Sequence, residues 1–265
     1  MTTTAQHKPD QSSQEGARKR VAVVSGGGAG IGFAIASRLA EADFAVVLLD
    51  IGEGSAAKAA YAITEAGGTA RGYQADVSKR QEVDAALEAA RKELGPISAI
   101  VANAAVAIQQ PFLEMTLEQW NRTLAINLTG TFNVVQSALP DLVDGGWGRI
   151  VLISSSSAQR GAPNMAHYAA SKGGQMALTK ALAMEFGKAG ITVNTVAPSS
   201  IDTPSVQKKR EAGKIPSAED MAKYIPVGRT GTGDDIAAAV RYLVSDSASY
   251  VTGQTISVNG GSFIG

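Results

Sequence analysis

Val21-Ala-Val-Val-Ser25-Gly26-Gly27-Gly28-Ala29-Gly30-Ile31-Gly32 is a β-branched apolar run that breaks into glycine and resumes as an apolar series, Ile31, Ile35 and Leu39, at helical spacing. The pattern predicts a buried strand, a tight turn and a helix. A βα turn in any α/β protein explains one glycine, whereas Gly26, Gly30 and Gly32 exceed what a turn requires. Glycines so spaced let the chain turn sharply, let a diphosphate approach backbone without a Cβ in the way, and aim a helix N-terminus at it.

Outward from that turn the chain alternates. Ala45-Val-Val-Leu-Leu-Asp50 reads as a second buried strand whose terminal carboxylate falls 20 residues after Gly30. An acid there accepts hydrogen bonds from an adenosine ribose and repels a 2′-phosphate, and neither Ala29 nor Ile51 supplies a basic group to grip one. NAD is therefore expected over NADP. A helix over Ser55 to Ala66 and a strand over Arg71 to Ala75 follow, the latter running into Asp76-Val77. Ser78-x-x-Gln81 predicts a capping box opening a helix to Leu94. Ile97 to Ala102 is a fourth strand, with Asn103-Ala104-Ala105 at its carboxyl end. Thr116-x-x-Gln119 caps one long helix expected to run through Asn127 to about Leu142. Arg149 to Ile153 delivers a serine run, Ile191 to Val196 is a sixth strand and Thr255 to Asn259 a seventh, with a helix over Asp234 to Ser245 between them. Pro204 to Tyr224 is polar throughout and too long for an ordinary connection, so a mobile lid is expected over about residues 199–225. Strand-helix alternation of this kind predicts an α/β single domain: a seven-stranded, doubly wound parallel sheet with helices on both faces and ligands at the strand carboxyl ends.

Composition narrows the function. The chain has 265 residues, 45% hydrophobic and 18% charged, which suits one domain with a full-sized core. Lys+Arg and Asp+Glu both total 24, so no overall field draws in nucleic acid or an anionic membrane. Without cysteine, and with only His7 and His167, neither disulfides nor a metal site is expected. No apolar run is long enough to span a bilayer, and Met1 to Gly16 lacks the apolar core of a signal peptide, so a soluble cytoplasmic protein is expected. Residues 1–20 read as a disordered arm ending in a solvated Arg18-Lys19-Arg20 cluster, and residues 21–265 as the domain.

Tyr168 and Lys172 stand one helical turn apart, which sets an ammonium beside a phenol and should lower its pKa toward a usable range. Alone, the pair is better explained as a surface tyrosine packed on a lysine stem. A serine on the preceding strand can hold a substrate oxygen against Tyr168. Asn127 interrupts an apolar stripe, and two roles stay open for its amide: bonding neighbouring backbone or holding a water.

From Val21 to Gly261 the chain resembles the short-chain dehydrogenase/reductase family. Ser25-Gly-Gly-Gly-Ala-Gly-Ile-Gly resembles its cofactor loop, Asp76-Val77 its adenine-contacting pair, and Asn103-Ala104-Ala105 its Asn-Ala-Gly element. Asn127, Ser155, Tyr168 and Lys172 fall where that family carries its catalytic tetrad; Ser155, thirteen residues before Tyr168, is chosen over Ser154 and Ser156. The resemblance implies a Rossmann fold and hydride transfer between NAD and a carbinol or carbonyl carbon. It makes Tyr168 the proton carrier, Ser155 the orienting hydroxyl, Lys172 the group that lowers the Tyr168 pKa and binds ribose, and Asn127 the holder of a relay water. Cofactor contacts are implied for Gly26, Gly28, Gly30, Ile31, Gly32, Asp50, Ile51, Asp76, Val77, Asn103, Ala104, Tyr168, Lys172, Pro198, Ser199, Ile201 and Thr203. Two departures bear on this: Ala105 and Ser199 both replace glycines. A homotetramer is implied as well, joined through the helices around Asn127 and Tyr168 and the segment ending in Phe263-Ile264.

The expected substrate is a small secondary alcohol or ketone, cyclic or aryl, set among Val106, Gln109, Ser157, Gln159, Asn164, Met165, Ser200, Val206 and Met221. Lys208-Lys209-Arg210 and Lys214 support an alternative, a 3-oxoacyl thioester on an acyl carrier. A non-catalytic nucleotide-binding regulator and a sugar-nucleotide epimerase are further rivals. An intact tetrad speaks against the first, and the chain's end soon after strand seven against the second.

Overall fold

The structure, a computed structural model, describes residues 19–264. Its strands are β1 (Val21–Ser25), β2 (Ala45–Asp50), β3 (Thr69–Gln74), β4 (Ile97–Ala102), β5 (Gly148–Ile153), β6 (Ile191–Pro198) and β7 (Thr255–Val258). They form one sheet in the order β3-β2-β1-β4-β5-β6-β7, and every pairing is parallel. Strands such as Val21-Ala-Val-Val and Ile150-Val-Leu-Ile153 carry apolar residues on both faces because both are covered. On one face α1 (Gly30–Glu41), α2 (Ser55–Glu65) and α10 (Gly233–Leu243) pack Ile35, Leu39, Ile63, Ile236 and Val240 against Ala22, Val24 and Val46. On the other, α3 (Arg80–Leu94), α5 (Gly130–Asp144) and α7 (Ala166–Phe186) pack Leu87, Val134, Leu142 and Ala183 against Val23, Val47 and Ile150. Each buried valine, leucine or isoleucine among them contributes about 1.5–3 kcal/mol. Strand order reverses between β1 and β4, and the crevice this opens at their carboxyl ends positions the site.

Several local expectations are corrected. Ser78 does not cap α3: its N–H and its hydroxyl both donate to Asp76 Oδ1, at 2.9 and 2.7 Å, and the helix starts at Arg80. The Thr116–Gln119 capping box is present, but the helix it opens is not continuous. α4 (Leu117–Leu124) passes into a π turn over Ala125–Thr129 before α5 begins. A π turn inserts a residue into the helical ladder and often marks a functional site; Asn127 is at its centre. The segment expected to be a lid carries two short helices, α8 (Pro204–Glu211) and α9 (Ala218–Ala222). Thr203 Oγ1 accepts from Val206 N and Ser217 Oγ from Asp220 N, so each helix has a side-chain cap that a reading by polarity overlooked. A further short helix, α6 (Ser156–Arg160), lies within the serine run.

Lys19 and Arg20 are exposed, as a solvated cluster would be, and each is paired at the surface. Lys19 pairs with Asp43 at 2.8 Å; Arg20 pairs with Asp246 at 3.0 Å and stacks 3.8 Å from the Trp147 ring centroid. The expectations for Met1 to Arg18, including His7, and for Gly265 lie outside the described residues. Among the described residues no helix is long and apolar enough to cross a membrane.

Candidate active site

A cleft of about 1050 Å³ opens at the carboxyl ends of the strands, along the β1/β4 reversal. Its wall begins at the glycine turn. Gly26 and Gly30 take left-handed backbone, with φ of 63° and 56°. Ser25 pins this turn to β4: its Oγ accepts from the amides of Asn103 and Ala104 at 3.0 and 3.1 Å, while Asn103 Nδ2 donates to the Ser25 and Gly26 carbonyls. A Cβ on Gly26 would lie 2.9 Å from Ala104 Cα, and one on Gly32 would lie 2.0 Å from the Gly26 carbonyl oxygen. α1 then begins at an N-cap, Ala29, that has no side chain to satisfy the first helical amides and no acid in its first turn. Unsatisfied amide donors at the positive end of a helix dipole, facing a Cβ-free wall, fit a diphosphate.

Asp50 ends β2 with its carboxylate held by two backbone donors, Gly28 N on Oδ2 at 3.0 Å and Gly52 N on Oδ1 at 2.9 Å. Further lone pairs remain for hydroxyl donors in the cleft. Asp76 and Val77 line the same wall, where Asn133 Nδ2 fixes the Val77 carbonyl at 2.8 Å.

At the floor β5 delivers four consecutive serines, Ser154 to Ser157, whose first three differ in setting. Ser154 is buried and donates to the Lys172 carbonyl at 2.8 Å, and Ser156 is buried within α6. Ser155 caps α6 and hydrogen-bonds to the Tyr168 phenol. Lys172, 1% exposed, donates from Nζ to the Ile153 carbonyl at 2.6 Å and to Gln175 Oε1 at 3.2 Å. Its Nζ lies 5.9 Å from the Tyr168 ring centroid.

Burial dominates the electrostatics of the pair. Burial pushes the Tyr168 phenol above its ordinary value of 10.0, and the bond from Ser155 offsets this only in part. Burial also pushes Lys172 down to about 7, so the ammonium expected to lower the tyrosine is itself destabilised. His167, the neighbour of Tyr168, is buried with neither ring nitrogen hydrogen-bonded to protein, and burial lowers its pKa as well.

Of the residues singled out from the sequence, Gly26, Gly30, Ile31, Asp50, Ile51, Asp76, Val77, Asn103, Ala104, Ser155, Tyr168, Lys172, Pro198, Ser199, Ile201 and Thr203 line the cleft. Gly28, Gly32 and Asn127 do not. Gly28 supports Asp50 from behind, and Gly32 lets the turn close. Asn127 is wholly buried; its side chain exchanges two hydrogen bonds with the Val106 main chain and donates to Ser171 Oγ at 3.1 Å. The backbone it bonds is therefore not the neighbouring one expected but Val106, far away in sequence. Neither Ala105 nor Ser199 has positive φ, so both departures from glycine are accommodated without left-handed strain.

On the substrate side Val106, Gln109, Met165, Ser200, Val206 and Met221 line the cleft, whereas Ser157, Gln159 and Asn164 do not. Gln159 is instead bonded to Ser257 at 3.1 Å. Ile108, Arg122, Ile126, Ile215 and Pro216 also line it. Arg122 on α4 and Ile126 on the π turn had no sequence signal. Among the described residues no cluster of three His, Cys, Asp or Glu side chains is placed to hold a metal.

A doubly wound parallel sheet with a glycine turn, a strand-end acid and a Ser-Tyr-Lys floor in one cleft defines a dinucleotide-binding oxidoreductase. The chain belongs to the short-chain dehydrogenase/reductase family. A family model described as enoyl-(acyl carrier protein) reductase matches residues 26–262. Over 244 residues the chain is 41% identical to an acetoacetyl-CoA reductase of Shinella zoogloeoides, covering 92% of this chain and 98% of that protein. It is 35% identical to 2-(S)-hydroxypropyl-CoM dehydrogenase 3 of Xanthobacter autotrophicus, covering 92% and 96%. It is 39% identical to 3beta-hydroxysteroid dehydrogenase 1 of Eggerthella lenta, covering 91% and 93%. Among solved structures, a variant of the actinorhodin polyketide ketoreductase with NADPH superposes with a TM-score of 0.87 at 33% identity, covering 92% of this chain and 97% of that one.

Proposed function

We propose that this protein transfers a hydride between NAD(H) and a secondary alcohol or ketone, with Tyr168 exchanging the hydroxyl proton. The observation that carries this is the convergence of Ser155, Tyr168 and Lys172 at the floor of the cleft whose wall holds Gly30 and Asp50. A bound nicotinamide supplies hydride chemistry at its C4. The amides opening α1 would hold the diphosphate, Asp50 the adenosine ribose, Asp76 and Val77 the adenine, and Pro198, Ser199, Ile201 and Thr203 the nicotinamide end. Ser155 orients the substrate oxygen toward Tyr168, and Asn127 locks the floor against the Val106 backbone. Because burial keeps Tyr168 protonated, it is equipped as found to donate a proton to a developing alkoxide; oxidation requires the phenolate and gains as pH rises.

NAD is preferred because Asp50 presents a carboxylate where a 2′-phosphate would sit, with uncharged Ala29 and Ile51 beside it. Asp50→Ala with Ile51→Arg should weaken NAD and admit NADP, as measured by kcat/KM with each cofactor; a wild type that already prefers NADPH would overturn this assignment.

For the substrate, the apolar walls at Val106, Ile108, Met165, Val206, Ile215 and Met221 suit a neutral cyclic or aryl body. The steroid-dehydrogenase relative accords with a cyclic alcohol. A second reading, a 3-oxoacyl thioester, draws support from the acetoacetyl-CoA reductase relative and from Lys209, which lines the cleft. Arg210 lines it too but is engaged by Asp202 at 2.9 Å. The deciding experiment compares rates for neutral cyclic and aryl alcohols with those for 3-hydroxyacyl thioesters, each with NAD and NADP. A thioester preference of about tenfold or more, lost in Lys209→Ala, would replace the alcohol reading, since tenfold is about 1.4 kcal/mol of discrimination. Cofactor binding without turnover of either class would favour a regulator.

A homotetramer is also inferred. Leu128, Phe132, Ala177, Leu178 and Ala181 form an apolar groove between α5 and α7, and Met184 beyond it is 87% exposed. Ile264 is 89% exposed at the chain's end. Sedimentation of a monomer at micromolar concentration would contradict this. A cytoplasmic location accords with the cysteine-free composition and the nicotinamide requirement.

A further inference from the structure

Beneath the floor of the cleft lies a buried polar chain with no part in the proton transfer described above. Gln175, 0% exposed, stands on α7 three residues after Lys172. A glutamine amide in that position is tolerated only where its donors and acceptor find partners. Its Nε2 donates to the Asn127 main-chain carbonyl at 2.9 Å and to Thr131 Oγ1 at 2.6 Å. Thr131 in turn donates its hydroxyl hydrogen to the same carbonyl at 2.8 Å. A carbonyl only accepts, and the Thr131 hydrogen is committed, so the amide has one workable orientation. Oε1 must face Lys172 Nζ, 3.2 Å away. With the Ile153 carbonyl taking a second N–H at 2.6 Å, two of the three lysine hydrogens are fixed and the third is left for the cleft.

We propose that Gln175 is a positioning residue: tethered to the π turn, it aims the remaining N–H of Lys172 into the cleft and favours its ammonium form, setting the pH at which the Tyr168–Lys172 pair works. This rests on the reading of Tyr168 as the proton carrier. Around Lys172, Tyr168 is the titratable neighbour. Ile153 from β5, Ser154 just after it, Asn127 from the π turn, Thr131 from α5 and Gln175 itself are uncharged. Complete burial already drives the lysine to about 7, so a single acceptor has a large share in what holds the proton.

The test needs no substrate. Phenolate formation at Tyr168 is followed by difference titration of each protein against its own Tyr168→Phe counterpart. Gln175→Glu, which sets a carboxylate against Nζ, should lower the apparent Tyr168 pKa. Gln175→Leu should raise it, the two separated by roughly a unit or more. The pair titrates jointly, so the apparent value belongs to both groups. The pH profile of kcat should move the same way, with the substrate KM changed less. Gln175→Met serves should the Leu variant fail to fold. Titrations that coincide with wild type in both variants, with only a lower melting temperature, would overturn the proposal and leave Gln175 a packing residue. Opposite titration shifts without turnover of any alcohol or thioester would uphold it and sink the dehydrogenase reading instead.

Discussion

Tyr168→Phe is expected to lower turnover by about 10²–10⁴, the usual contribution of a positioned general acid or base, while cofactor affinity stays near wild type. The ring remains, so packing at the start of α7 is kept, and only the transferable proton and the Ser155 partner are lost. A merely structural tyrosine would show the reverse, with a lower melting temperature and ordinary turnover. Turnover within a few-fold of wild type would remove Tyr168 from the reaction. Direction matters to the measurement. Since burial raises the phenol, reduction by wild type should persist across neutral pH, whereas oxidation should climb with pH until the phenolate forms. The Phe variant should lose that climb.

Much of the fold was legible because parallel strands covered on both faces leave short apolar runs, and each run here ends at a turn signal or a functional residue. The glycine turn and Asp50 were legible for a related reason: few residue types satisfy a positive φ, a close backbone approach or a ribose hydroxyl pair. What the sequence hid was long-range pairing. Asn127 looked like a break in an apolar stripe, yet its partners are the Val106 main chain and Ser171, which a linear reading does not bring together. The π turn around it leaves no compositional mark. Ser78 and Gln81 matched a capping box, but Asp76 lay closer and took both Ser78 donors, leaving α3 to begin without that cap. The helices α8 and α9 went unread because a helix polar on all sides has no periodicity to detect; their caps at Thr203 and Ser217 were the available signal.

The i, i+4 spacing of Tyr168 and Lys172 was legible, and its electrostatics were not, because spacing does not report burial. A solvated ammonium beside a phenol lowers the phenol's pKa. A lysine 1% exposed must first hold its own charge, and here it is pushed down to about 7.

Lys172→Met therefore has two expected results. Turnover should fall at least as far as in Tyr168→Phe, because the remaining N–H aimed into the cleft is lost together with its charge. The second result is read in the cofactor-free protein as stability against pH. Lys172 titrates at 10.5 unfolded and at about 7 folded, so between those values the unfolded chain binds more protons and stability rises with pH. The contribution is fully present above the unfolded value and lost as pH falls through the folded one. At about 1.4 kcal/mol per unit, it amounts to about 5 kcal/mol across that window. Wild type should gain this much on Lys172→Met as pH is raised, in denaturant unfolding followed at each pH. At neutral pH the variant's net change is smaller. Relief from burying a lysine is offset by about 1–3 kcal/mol for each of the acceptors left unpaired, the Ile153 carbonyl and Gln175 Oε1. The difference in slope between the two proteins is thus the discriminating quantity. Parallel stability curves for wild type and Lys172→Met would show that the lysine keeps its ordinary affinity for protons, and the floor of the cleft would then be wetter and more strongly charged than its packing indicates.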